Sequence, residues 1–411
     1  MTDLPRADRI IAECRMLAGM SEEHGRTTRR FLTPAVAAVH GHLRNRMLAL
    51  GMTVTLDAAG NLRGLWRPDE AGARRLVMGS HIDTVPDAGA FDGVLGVVMA
   101  LELVTSAKAN SLPLAVEVIA FSEEEGVRFG LPFIGSRAVA GRFDSKLLAL
   151  EDAEGISLED AIRNFGLDPA RLDEALVDDE AIGFLEIHIE QGPVLEAEEL
   201  PLGIVTGIVG QTRCELTFNG HANHAGTTPM SLRRDALAAA AEWILAVETA
   251  ANESEGTLVA TVGKVKAEPN AGNVIAGSVR LSLDLRSERD QVREEAVVGL
   301  LDRANAIAAR RKLTCHTKTQ MQQPAVPMDE QLTAVLAESV EAAGFTVRRL
   351  PSGAGHDAMV MATRLPTAML FVRSPGGISH HPDESVIAED LEAALAAGEL
   401  FLSRAAGTLK L

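Results

Sequence analysis

Five short segments of the chain each place a histidine, aspartate or glutamate where a divalent metal ion can take it: GSHIDTVP, AFDG, SEEEG, EIHIEQG and GGISHHPDE. Imidazole and carboxylate donors without thiolates suit zinc, manganese, cobalt or nickel. One bridging aspartate, two terminal histidines and one or two further carboxylates would make two sites about 3.5–4 Å apart, the arrangement of two-metal hydrolases. The segments run from His81 to His381, so the fold must assemble them.

In GSHIDTVPDAGAFDG, His81 and Asp92 can both reach a metal, and Asp83 is placed to orient the imidazole through its second ring nitrogen. The plain alternative for an isolated HxD is a turn histidine satisfied by a nearby acid. SEEEG ends an apolar run, VEVIAF, with three consecutive carboxylates. One of them can ligate while its neighbour, held off the metal, moves a proton; a solvated acidic loop is the alternative. In FLEIHIEQG, period-2 alternation puts Glu186, His188 and Glu190 on one face. Ionisable groups on one face of an apolar strand are hard to explain as packing, though an exposed edge strand would explain them. GISHHPDE offers His380 and His381, of which one need be a ligand. GAGHDA, Gly353 to Ala358, formally fits the dinucleotide pattern GxGxxA. No strand is read directly before it within a first βαβ unit, and the position about 20 residues on is near Pro375 rather than an acid after a second strand.

The elements that must position these residues alternate from Arg74 onward: RRLVMGS, then GVLGVVMALELVTSA, then PLAVEVIAFS and GSRAVAG. Strands alternating with helices predict a mainly parallel sheet, with ligands beyond the carboxyl ends of its strands. The middle of the chain differs. IVTGIVGQTRCELTFNG reads as a strand, LRRDALAAAAEWILAVETA as a helix, TLVATVGKVKA and AGSVRLSLDLRS as strands, QVREEAVVGLLDRANAIAARR as a helix and LTCHTKTQ as a strand. This βαββαβ order puts both helices on one face of a separate sheet. The expected organisation is an α/β catalytic domain in two parts, 1–207 and 323–411, with an α+β lid or dimerisation domain, 208–322, inserted between them. Hinges fall at Gly207/Gly210 and Gln322–Pro327.

The chain has 411 residues, enough for two domains, and an interior rich in Ala, Leu, Val and Ile, since aromatics are only 3% and tyrosine is absent. A formal net charge of −18 argues against nucleic acid or an anionic membrane as partner. Cys14, Cys214 and Cys315 are too scattered for a disulfide framework or thiolate site, which fits a reducing cytoplasm. The amino-terminal segment reads as an amphipathic helix, not a signal peptide, and no run reaches membrane-span length.

Together the segments resemble the M20 metallopeptidase superfamily, and within it the ureido-acid amidohydrolase branch. SHIDTVP, Asp92-Gly93 and Glu124-Glu125 carry the general resemblance; EEEGVRFG, FIGSRA, HIEQGPVLE, NHAGTTPM, SGAGHDAM and GISHHPDE carry the branch. The resemblance implies His81, Asp92 and His188 around one ion, and Asp92 bridging to a second ion held by Glu125 and His380. It implies Glu124 as general base, and Gln191, His224, Asn273 and Arg286 as substrate contacts. Arg286 would pair bidentately with a substrate carboxylate. His224 would reach the site of a second copy to stabilise the oxyanion, which implies a homodimer formed through the inserted domain and closure over substrate. AGAFDG departs from the usual Gly-Gly-aromatic-Asp-Gly, with Phe91 where Tyr is common, and His221 and His381 are additional histidines.

The implied reaction is hydrolysis of the ureido group of allantoate, an N-carbamoyl-L-amino acid or N-carbamoyl-β-alanine, as in purine or pyrimidine catabolism. FLTPAV and DAAGN lean it towards allantoate. An aminoacylase or dipeptidase on the same scaffold is the alternative enzyme, and a non-catalytic metal- or ligand-binding protein the alternative of another class.

Overall fold

The computed structural model describes residues 4–69 and 73–408. Its strands, in chain order, are β1 (Thr53–Leu56), β2 (Leu62–Trp66), β3 (Arg75–His81), β4 (Ala115–Phe121), β5 (Ala181–Ile189), β6 (Leu202–Ile208), β7 (Gly210–Asn219), β8 (Val259–Thr261), β9 (Val265–Glu268), β10 (Ser278–Ser287), β11 (Thr314–Gln323), β12 (Val326–Pro327), β13 (Arg349–Ser352) and β14 (Thr367–Val372). They form a nine-stranded sheet ordered β1-β2-β4-β3-β5-β14-β6-β12, with β13 beside β6, and a five-stranded sheet ordered β11-β7-β10-β8, with β9 beside β10. The chain divides into two compact units, residues 1–206 with 328–411 and residues 207–327.

In the first unit the central strands β4, β3, β5 and β14 run parallel, while β2 and β6 add antiparallel. β3 and β4 are buried along their whole length, which is why RLVMGSH and AVEVIAF are nearly continuous in apolar residues. The helix Val94–Ala109 is buried on almost every side and packs with helices Arg6–Ala18, Glu330–Ala342 and Ala388–Thr408 over the sheet. Along β5, Leu185, Ile187 and Ile189 join this core. Alternation turns Glu186 and His188 to the other face, where the short helix Asp357–Met361 lies. β5 is central, so the edge-strand explanation of its charged face does not apply.

The inserted unit is antiparallel throughout its main ladders. β7 and β10 alternate buried and less buried residues, and their inner faces pack with helices Ala236–Asn252 and Asp290–Arg310 around Trp243. TLVATVGKVKA, read as one strand, is two short ones, β8 and β9, both against β10. The run IVTGIVGQTRCELTFNG is likewise divided between β6 and β7 at Val209. A Cβ on Gly210 would lie 2.6 Å from Asp290 Oδ1 and closer still to the buried Arg293 guanidinium, so the break needs glycine. Among the described residues no helix is long and apolar enough to cross a membrane.

His40, on the helix Pro34–Ala49, is buried against Phe165, edge to face at 5.9 Å. Burial, with Arg44 nearby, pushes its imidazole from 6.5 down to about 4, against the Gly60 backbone, which favours the charged form. Between those values the unfolded chain binds the proton and the folded one does not, so stability rises with pH across that window. We expect about 3 kcal/mol of stability to be lost as pH falls from 6.5 to 4 and none from this group below it. Urea unfolding of the protein and of His40→Leu at several pH values checks this; parallel pH dependences in the two would refute it.

Candidate active site

His81 is the last residue of β3, and its Nδ1 lies 3.0 Å from the backbone carbonyl of Asp83. His188, near the end of β5, places its Nδ1 2.9 Å from the carbonyl of Ile189. A carbonyl only accepts, so each Nδ1 carries a proton and each Nε2 is left as the nitrogen that can take a metal ion. Those two Nε2 atoms face each other at 3.5 Å, with Asp92 Oδ1 3.9 Å from the first and 3.3 Å from the second. Three buried electron-rich atoms turned towards one point call for a cation there.

Asp83 faces the His81 ring as expected, by its backbone carbonyl at 3.0 Å and by its carboxylate Oδ1 at 3.7 Å from Nδ1. The same carboxylate accepts the amide protons of Glu124 at 2.9 Å and Glu125 at 3.0 Å, fixing the SEEEG loop. His380, half-exposed and at a positive φ of 55°, reaches Asp92 Oδ2 at 3.1 Å and Glu125 Oε1 at 3.3 Å through Nε2. Four overlapping donor groups result, each with its atoms within 4.8 Å of one another: His81, Asp92 and His188; Asp92, Glu125 and His380; His81, Glu124 and Glu125; and Glu186, His188 and His356. Asp92 belongs to the first two, and among the described residues the buried Oε1 of Gln191 beside it has no hydrogen-bond donor. The donor set therefore fits a pair of divalent ions sharing Asp92.

The electrostatics agree. Hydrogen bonds to Asp92 and Glu125 raise His380 to about 10. Burial lowers the basicity of His81, but Asp83, Asp92 and Glu125 overcome it and hold the ring at about 9. Burial would also raise Asp92, yet His380, His188 and His81 together hold it below the usual carboxylate range. Glu124 moves the other way: burial first, then Glu125, Asp357, Asp83 and Asp92, push its carboxyl well above the ordinary value. A buried carboxyl with raised proton affinity, beside the donor cluster, is equipped for proton transfer.

Gln191 donates through Nε2 to Asp92 Oδ1 at 3.0 Å and to Ser379 Oγ at 3.1 Å. In the inserted unit, His224 and Asn273 lie on two paired loops: the amide of Ala225 donates to the Asn273 carbonyl at 2.9 Å. His224 Nδ1 accepts from the Gly226 amide at 3.0 Å, so its proton is on Nε2, the tautomer that can donate to an oxyanion. Arg286, near the end of β10, makes a forked pair with Asp284, 3.0 and 3.1 Å, which also receives Gln211.

Glu190 leaves the strand face on which alternation placed it and accepts the amides of Val194 and Leu195 at 2.8 and 3.0 Å, capping a short helix. His381 is exposed and accepts the amide of Asp383 at 3.1 Å within its turn. Sequence reasoning missed His356 and Asp357: His356 stacks edge to face on His188 at 4.4 Å and pairs with Ser352 at 2.9 Å. A strand, β13, ends at Ser352 directly before GAGHDA, but it is the thirteenth in chain order and not part of a first βαβ unit. A Cβ on Gly355 would meet the Phe133 ring at 2.8 Å, so this glycine serves close packing against Phe133.

Comparison with known proteins follows the same lines. The model of peptidase family M20/M25/M40 matches residues 77–404. N-carbamoyl-L-amino acid amidohydrolase of Geobacillus stearothermophilus is 40% identical over 369 residues, 89% of this chain and 90% of that one. Allantoate deiminase of Arabidopsis thaliana is 37% identical over 420 residues, 94% of this chain and 80% of that one. A crystal structure of an amidase of the hydantoinase/carbamoylase family from Burkholderia multivorans superposes with a TM-score of 0.91 at 32% identity, covering 97% of this chain and 98% of that one.

Proposed function

Because the chain belongs to peptidase family M20/M25/M40 and is an amidohydrolase of carbon–nitrogen bonds in non-peptide amides, we propose that it cleaves the ureido group of a small carboxylate, allantoate or an N-carbamoyl-L-amino acid, with release of ammonia and carbon dioxide. The observation that carries this reading is the pair of facing imidazole nitrogens closed by Asp92, with the high-affinity proton acceptor Glu124 beside it. The metal pair, zinc or else manganese, cobalt or nickel, would be held by His81, Asp92, His188, Glu125 and His380, and when bound supplies Lewis-acid polarisation and an acidified water.

A ureido carbon is a poor electrophile because both nitrogens donate into its carbonyl. Glu124 takes a proton from the attacking water and returns it to the departing nitrogen as the carbon–nitrogen bond breaks. The carbamate product then decomposes to carbon dioxide and ammonia or amine. Arg286, anchored by Asp284, receives the substrate carboxylate, with Gln191 and Asn273 as further contacts. His224 donates its Nε2 proton to the developing oxyanion in the site of a second copy, which makes the working unit a homodimer formed through the inserted unit.

The test is ammonia release by metal-loaded protein from allantoate, a panel of N-carbamoyl-L-amino acids and a dipeptide. Turnover of at least one ureido acid, and none of the dipeptide, is expected. Dipeptide turnover alone would reject the assignment.

A further inference from the structure

The structure assigns Glu384 a role that no ligand or substrate contact accounts for: we propose that it is a positioning residue that fixes the backbone of Asp92, with Gly89 leaving it room. The inference rests on the reading of Asp92 as a shared metal ligand given above.

Glu384 is 5% exposed and belongs to none of the donor groups. Its Oε1 accepts two amide protons, that of Phe91 at 2.8 Å and that of Asp92 at 3.0 Å. Ser379 donates to its Oε2 at 3.3 Å, and the same hydroxyl receives Gln191 Nε2 at 3.1 Å. Its own amide donates to the carbonyl of His381 at 3.0 Å. One carboxylate thus ties the AFDG loop to the ISHHPDE loop, the two loops whose Asp92 and His380 meet at 3.1 Å. The buried amides of Phe91 and Asp92 must be satisfied, and a carboxylate buried at this depth must be hydrogen-bonded.

Gly89 completes the device from the opposite side. A Cβ built there would lie 2.4 Å from both Cβ and Oε1 of Glu384, so any side chain larger than hydrogen displaces the clamp. Metal ligands tolerate shifts of about 0.2 Å, and losing a group that orients a ligand weakens metal binding about 10–100-fold.

The experiment measures zinc affinity by competition with a chromogenic chelator for the parent protein, Glu384→Gln, Glu384→Asp, Gly89→Ala and the control Asp92→Asn, with melting of each metal-free protein. Glutamine keeps the length and the doubly accepting oxygen, so Glu384→Gln should hold zinc within about threefold of the parent. Aspartate is one methylene short, and Gly89→Ala pushes an intact glutamate aside; both should bind zinc about 10–100-fold more weakly while still melting cooperatively. Should Glu384→Asp fail to fold, Gly89→Ala carries the test. Parent-like affinity in the folded variants, or a loss in Glu384→Gln as large as in Glu384→Asp, overturns the proposal. An Asp92→Asn variant with undiminished zinc overturns instead the reading of Asp92 on which it rests.

Discussion

Glu124→Gln should lower kcat for ammonia release about 10³-fold, within the roughly 10²–10⁴ that proton transfer by a placed side chain contributes. Glutamine preserves the shape and the hydrogen bond that the backbone amide donates to Asp83 Oδ1, so only the capacity to move a proton is lost. The alternative is that Glu124 serves as a ligand, because one of its oxygens lies within 4.8 Å of His81 and Glu125 donors. Metal content separates the two roles: a base leaves it at the parent level and a ligand does not. Full activity in Glu124→Gln would remove the residue from the mechanism. The same variant examines the shared site. Mixed with His224→Ala under conditions of subunit exchange, it should recover part of the activity, since one pairing joins an intact Glu124 to an intact His224; no recovery despite exchange counts against a site built from two copies.

Gly93→Ala should abolish activity, to below about 1% of the parent, through one methyl group. Gly93 stands at φ 68°, where a non-glycine residue costs about 1–2 kcal/mol. More decisive is that its Cβ would sit 2.5 Å from three atoms of the His81 ring. The helix Val94–Ala109 is locked into the core, so the imidazole is what must move, and its Nε2 leaves the cluster. Gly25 provides the comparison, at φ 75° with nothing within 4 Å of its Cβ. Gly25→Ala should meet the backbone cost alone and keep its metal and turnover. Full metal occupancy and activity in Gly93→Ala would show that the His81 ring is not held where the cluster needs it.

These cases show what kind of information the sequence carried. His81, His188, Glu124 and Glu125 stand at or just after the ends of apolar strands, β3, β5 and β4, and such strand ends are visible as short strings. What escaped was set by backbone geometry. Asp83 faces two amides because Glu124 and Glu125 curl back over it, following Glu123 at φ 51°, and no spacing rule encodes that turn. Glu190 keeps strand parity with His188, yet the strand stops at Ile189 and the next side chain turns to a helix end. The division between β6 and β7 was hidden inside a run of strand-forming residues. His356 and Asp357 sit in a motif whose glycines drew attention to phosphate, while His356 packs edge to face on His188 and Asp357 is a fully buried carboxyl near Glu186. In the inserted unit, alternation along β7 and β10 made the core face plain, because only one side of that sheet is covered by helices.

The inserted unit leaves and rejoins the catalytic unit through neighbouring strands: Val326 and Pro327 pair with Ile208 and Gly207, and the amide of Met328 donates to the carbonyl of Thr206 at 3.0 Å. Entry and exit are therefore side by side, paired within the insert by β6 and β12 and on the catalytic side by the Met328–Thr206 hydrogen bond. Such a seam makes the two units separable by heredity. A different insert spliced between the same two residues would keep the proposed metal ligands and Glu124, and would replace the proposed substrate contacts and oxyanion donor, Asn273, Arg286 and His224, in one exchange.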